Sequence, residues 1–445
     1  AGNGWFELKT LSLISLPVLC LLCAATNARS FKSATPTNTS VLPIVLSAKD
    51  VPALDGARIV SLSGFSCRGE RPEPLLFQVD ERNGQDRYVS SEASGALARD
   101  ESPGVLDAND EIVFMASELG EPCSAEALAR VRGRLLEIQI AGENYPDPGH
   151  VYLLLGEKGY VPNRTLIDYD TATSTVRTDA YTMGYDPDLP FIYKSLTYAD
   201  LKGRAKEDIL DRLKVRIEAR ALGSLVTLRF DEEDFDATLD ALKRGPIRVI
   251  REMTVHVPIA PGVTVTASVT FLHYERLWQG IVTLDIPDTV ATVTSSMDVA
   301  LIHDFVDLRG LKLSTSGLPQ GTLIDGRMIE LERNLKLTGD TWFMLTGGGL
   351  YEVTTVEFDR SLKLEPTALF VDGNEETAPP EDHPGGLPSV GLEFLDWQNL
   401  KPGIHSFSAH MAQLPSFPNG GGGGFYKTLH APQAITTREI TAPAN

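Results

Sequence analysis

From Pro246 to Pro287 the chain reads as three long extended runs: "PIRVIREMTVHVPI" (246–259), "VTVTASVTFLHYERLW" (263–278) and "GIVTLDIP" (280–287). They are rich in β-branched residues, and "PIAPGV" between the first two reads as a turn. Consecutive long strands joined by short turns must pair antiparallel, and such strands stack as a sandwich. The same logic holds upstream, where "LKVRIEARAL" (213–222) alternates Leu213, Val215 and Ile217 with Lys214, Arg216 and Glu218. That period of two predicts a strand with one buried and one wet face.

Shorter apolar runs bounded by Gly, Pro or Asp fill the first third: 41–48, 57–64, 74–81, 110–117, 134–142 and 150–161. The last run contains Gly-Glu-Lys-Gly, a hairpin turn by composition. A brief helix is expected at 124–133, capped by Ser124. A second is expected at 231–245, where Phe235, Leu239 and Leu242 fall at helical spacing between acidic and basic ends. Further strands are expected around the glycine turn of "DTWFMLTGGGLYEVTTVEFD" (340–359), at 403–414, and at "GFYKTLH" (424–430). Residues 375–387 read as an exposed acidic loop. The glycine run at 419–425 reads as a mobile loop, because glycine loses the most entropy on ordering. The expected fold is mainly β: a small N-terminal β domain (41–168), a larger antiparallel sandwich body (169–320) and a C-terminal β region (321–445) continuous with it or separate, with few short helices.

Lys9 precedes an apolar stretch from Leu11 to Ala25 that contains Pro17. It is shorter than the ~20 residues of a membrane span and fits the apolar core of a secretory signal. Residues 1–28 are therefore expected to be a signal peptide, cleaved after Ala25 or Ala28, with a polar leader at 29–40. A lipoprotein or an uncleaved anchor are the alternatives; Cys20 and Cys23 both follow Leu rather than a small residue. The expected location is secreted or periplasmic. Beyond the signal the chain has two cysteines, Cys67 and Cys123, and an oxidising compartment predicts a disulfide between them.

Lys+Arg total 40 against 60 Asp+Glu, a net charge of −20. Such a surface repels phosphate backbones and disfavours nucleic acid as a partner. No Gly-x-Ser-x-Gly or His-Glu-x-x-His is present, and the glycine run lacks the Lys-Ser/Thr of a phosphate loop.

Two acidic loops lie close in sequence. "DERNGQDRY" carries Asp80, Asn83 and Asp86; "DANDE" carries Asp107, Asn109, Asp110 and Glu111. Asp and Asn around a glycine turn can supply the hard oxygens calcium prefers. The same residues favour plain β-turns, and they also include carboxylates that could pair for catalysis. All three readings stand, and calcium is the one cofactor they admit.

A second constellation is "FLHYERLW" (271–278), taken as one strand. A polysaccharide lyase needs a base and a cation for the developing charge. His273 or Tyr274 could be the base, and Arg276, with Arg248 from the preceding strand, the cation. Trp278, expected on the face of Tyr274 and Arg276, could stack a sugar ring. The structural alternative is a strand with mixed faces.

"PLLFQVDE" followed by "GVLDANDEIVFMASELG" resembles the N-terminal module of exported bacterial proteins of the DUF4861 type, over residues 74–120. The resemblance implies an exported, β-rich protein associated with polysaccharide breakdown. It transfers no catalytic residue. The functional expectation is a non-catalytic envelope or extracellular protein that binds glycan or another envelope component. A polysaccharide lyase and a purely structural envelope protein are the rival readings.

Overall fold

A computed structural model describes residues 37–90, 92, 99–156, 162–221, 225–260, 262–373, 386–397 and 401–440. The expected signal peptide, most of the leader, residues 157–159 of the hairpin turn and nearly all of the acidic loop at 375–387 lie outside the described residues.

The chain is mainly β, in antiparallel sheets. Two sheets face each other at the centre. One has nine strands, in the order Asp236–Arg244, Val249–Ala260, Val263–His273, Leu277–Ile286, Gly403–Gln413, Leu350–Phe358, Trp342–Gly347, Lys312–Thr315 and Leu318–Leu323. The other has five: Val226–Asp231, Leu210–Ala221, Thr294–Phe305, Ser389–Trp397 and Pro366–Val371. Their inner faces share one large hydrophobic core. Alternation explains it. Val215 and Ile217 turn inward, while Lys214 on the other face is buried against Asp304 at 2.8 Å.

A four-stranded sheet (Ile167–Asp170, Thr175–Thr178, Tyr181–Tyr185, Tyr193–Tyr198) brings a set of tyrosines into that core. The N-terminal third forms a three-stranded sheet and a five-stranded one. The C-terminal strand Gln433–Ile440 joins the latter by pairing with Arg134–Gly142. Residues 168 and 320, where domain boundaries were expected, lie inside the strands Ile167–Asp170 and Leu318–Leu323. Cys67 and Cys123 form a disulfide and close a loop of 56 residues.

Three local expectations are corrected. The helix at 231–245 is a 3-10 turn, Glu232–Asp234 capped by Asp231, followed by the edge strand Asp236–Arg244. The free edge of Val249–Ala260 offers a full ladder of backbone partners, and that outweighs the helical spacing of three apolar residues. The glycine run and "GFYKTLH" are neither loop nor strand; they form the helix Gly421–His430. It starts from Gly420 in the left-handed region, φ 77°, and a Cβ on Gly422 would overlap the indole of Trp342. Glycine lets the helix backbone lie on that ring, while Phe425 is buried beneath it. Finally, "FLHYERLW" is not one strand. It turns at Tyr274–Arg276, and His273 pairs with Trp278 across the hairpin.

Candidate binding cavity

Four of the residues singled out from sequence meet in a buried network. Arg248 donates from Nε to Asp80 at 2.8 Å, from Nη1 to the Tyr274 hydroxyl at 3.0 Å, and from Nη2 to Glu111. Lys243 lies 3.1 Å from the other Asp80 oxygen, and Gln78 donates to both. Burial alone would raise the Asp80 carboxyl, but Arg248 and Lys243 outweigh it and hold it below its usual value. Glu111 also takes Arg82 at 2.9 Å and the Tyr88 hydroxyl at 3.0 Å. The network ties the three-stranded sheet to the nine-stranded one. Arg248 and Tyr274 are each 1% exposed, so the network lies in the interior.

The two acidic loops do meet. Their oxygens, though, accept from protein donors rather than converging on an empty centre. Asp110 accepts the backbone N–H of Arg82 and of Asp107, both at 2.9 Å. Asn83 Oδ1 takes the backbone N–H of Gln85 and Arg87, both at 3.0 Å. Asn109 donates to the Asn83 carbonyl at 2.8 Å and to Asp86 at 3.3 Å, and Asp107 caps the Asn109 backbone N–H at 3.3 Å. Burial first, with Asp107 and Asp100 nearby, pushes Asp110 up to about 6. No group of three or more His, Cys, Asp and Glu is placed to hold a metal among the described residues. The residues expected to hold calcium, Asp80, Asn83, Asp86, Asp107, Asn109, Asp110 and Glu111, form a pair of interlocked acidic turns in this structure.

The lyase constellation is also rearranged. His273 is fully buried, with Nε2 at 2.8 Å from the Tyr185 hydroxyl and Nδ1 at 3.2 Å from that of Tyr181. Burial, and Arg251 after it, hold the ring neutral. Arg276 pairs with Asp200 at 2.7 Å. Trp278 does not share a face with Tyr274, because the intervening turn sends Tyr274 to the ion-pair side and Trp278 into the sandwich. There its ring packs on Phe271 and Tyr193, at centroid distances of 5.1 and 5.9 Å, away from any exposed sugar platform.

What Trp278 does line is a cavity of about 310 Å³ between the two central sheets. Val215, Met297 and Leu392 come from the five-stranded sheet; Val269, Val282 and Ala409 come from the nine-stranded one. Each stands at an inward position of an alternating strand. The polar lining is sparse. His303 Nε2 is engaged by the Tyr193 hydroxyl, and burial holds that histidine near 4 and so uncharged. His303 and Asp304, adjacent in the strand Thr294–Phe305, point to opposite faces, and Asp304 belongs to Lys214 and Ser389. Among the described residues, Glu352 is the one carboxyl in the lining. It is 4% exposed and accepts from the Thr354 hydroxyl at 2.6 Å. Sequence reading missed it, although a Glu at an inward position of the strand "LYEVTTVEF" was a visible signal.

No family model matches the chain, and no curated protein matches it. Solved structures that match include a glycosyl hydrolase family 38 protein from Enterococcus faecalis, 8% identical with a TM-score of 0.48, covering 92% of this chain and 47% of that one. An α-mannosidase from Enterococcus faecalis V583 matches at 9% identity and a TM-score of 0.42, with 88% and 48% covered. A lysyl oxidase from Pichia pastoris matches at 8% identity and 0.28, with 65% and 59% covered. The chain spans about half the length of the two Enterococcus proteins. Likeness at this level assigns no activity and places no residue.

Proposed function

We propose that this chain is an exported, non-catalytic protein that holds a long-chain envelope component between its two central sheets. The observation that carries this reading is the cavity. Protein interiors pack as densely as organic crystals, with few voids larger than a water molecule. A void of about 310 Å³ at the centre of a sandwich departs from that rule. It lies within the size range of ligand pockets, roughly 300–1,000 Å³. Its apolar walls offer water almost no partners and suit a hydrocarbon body. His273, Tyr274, Arg248 and Arg276 are each held by a protein partner and lie outside this reading. Export is supported by the apolar N-terminal stretch and by the Cys67–Cys123 disulfide, which suits an oxidising compartment.

The test is titration of the purified protein with N-phenyl-1-naphthylamine, a neutral dye that brightens in apolar surroundings. Saturable binding is expected, displaced by long-chain alcohols and abolished by Ala267→Phe, which fills the cavity from Val263–His273. Absence of saturable binding, or equal binding by the filled variant, would remove the proposal.

A further inference from the structure

We infer that the cavity selects long-chain molecules whose head is uncharged and donates a hydrogen bond, a hydroxyl or an amide, over long-chain carboxylates, and that Glu352 makes this choice. The inference rests on the cavity being a ligand site and adds the chemistry of its polar end.

The argument starts from strand geometry. In Leu350–Phe358, the side chains of Leu350, Glu352, Thr354 and Val356 share the face turned toward the five-stranded sheet. Three of the four line the cavity. Glu352 therefore presents a carboxyl to an apolar space, and one hydroxyl, that of Thr354, is the hydrogen bond seen to it. A carboxyl has room for several donors. No Lys, Arg or His pairs with Glu352 among the described residues.

The groups around Glu352 are neutral. Tyr193 and Tyr198 approach from the four-stranded sheet, and their hydroxyls are pushed well above their usual range, by burial first. His303 faces the same space from Thr294–Phe305 and is uncharged. Leu345 and Gln413 flank Glu352 as its Cα partners in the adjoining strands. Gln413, itself buried, leaves its Oε1 without a donor. In the cavity lining, the buried Trp397 leaves its Nε1 without an acceptor. Buried polar atoms without partners are uncommon, and the Trp397 Nε1 in the lining is a place where a ligand group can stand.

A ligand carboxylate would meet Glu352 with no cation nearby to offset the repulsion. A hydroxyl or amide would give its hydrogen to Glu352. Burial pushes Glu352 up to about 7. Below that the neutral acid can both donate and accept; above it the carboxylate accepts only, and accepts more strongly. A donating head is held in both states. A carboxylate head is increasingly refused as the pH rises.

The experiment is displacement of N-phenyl-1-naphthylamine by dodecanol and by dodecanoate, at about pH 6 and about pH 8, in the native protein, Glu352→Gln and Glu352→Leu. For the native protein the ratio of dodecanol to dodecanoate affinity is expected to widen about tenfold between the two pH values. Glu352→Gln, which keeps the shape and the hydrogen bonding, should show the same ratio at both. Glu352→Leu should still bind the dye and should lose affinity for dodecanol. A native ratio that does not change with pH overturns the inference, as does a change that survives Glu352→Gln. If the dye binds none of the three proteins, the cavity reading itself fails and this inference with it.

Discussion

Arg248 and Asp80 meet at 2.8 Å with side-chain exposures of 1% and 0%, one pair of residues joining two sheets far apart in sequence. A buried pair of this kind contributes little against a well-packed apolar replacement, yet breaking it leaves a charge with no compensation. Asp80→Ala should therefore destabilise the protein by about 3–5 kcal/mol in a urea melt. The double variant Asp80→Leu with Arg248→Met should lose clearly less than the sum of the two single changes. Additive losses would mean that the pair is not coupled.

The same carboxyl predicts an acid limb. Asp80 is held below its usual value, so it supports folding wherever it is ionised in both states. That support is present above the unfolded value of about 3.9 and is lost as the pH falls through the lowered folded value. Asp80→Asn should flatten the melting curve against pH below about 4 relative to the native protein. An unchanged acid limb would assign it to other carboxylates.

Glu352 acts in the opposite direction. Its folded value is raised to about 7, so folding favours the protonated form. Stability from this group is present below the unfolded value and is lost as the pH climbs through about 7. The full swing is about 3 kcal/mol by linkage. Glu352→Gln should match the native melting temperature near about pH 4 and exceed it near about pH 8, by roughly that energy. A native protein with no such decline would argue that the carboxyl is solvated or paired.

The cavity predicts gain from filling. Ala267→Leu places added carbon in space that now has none, in a strand whose neighbours are already ordered. The expected gain is about 0.5–2 kcal/mol by thermal melting. A loss would indicate that the space closes in solution.

At Gly422 two effects compete. Alanine in a helix interior is favoured over glycine by about 1 kcal/mol. Here its Cβ would overlap the Trp342 ring, and overpacking typically costs about 1–3 kcal/mol. Gly422→Ala should lower the melting temperature, with a change in the near-ultraviolet signal of tryptophan. A rise would show that the helix can slide off the ring.

Much of this fold was written locally. The alternation in 213–222, the glycine turn between Trp342–Gly347 and Leu350–Phe358, the Ser124 cap and the two paired cysteines all follow from rules that act over a few residues. They were legible because backbone pleat, turn chemistry and redox compartment need no knowledge of distant partners. The sequence by itself thus determined a β-rich chain of antiparallel strands with a disulfide between Cys67 and Cys123. What it could not determine was which residues would meet. The edge strand Asp236–Arg244 exists because a neighbouring strand had unpaired backbone groups to satisfy. The Gly421–His430 helix exists because a distant indole gives it a floor. Asp80 and Glu111, expected to hold a cation, found Arg248 instead, and Trp278 turned inward because a hairpin bend separates it from Tyr274. The cavity with Glu352 at its polar end is a property of two facing sheets. Only tertiary structure decides it, because the space left between side chains depends on how whole sheets pack and not on any stretch of chain.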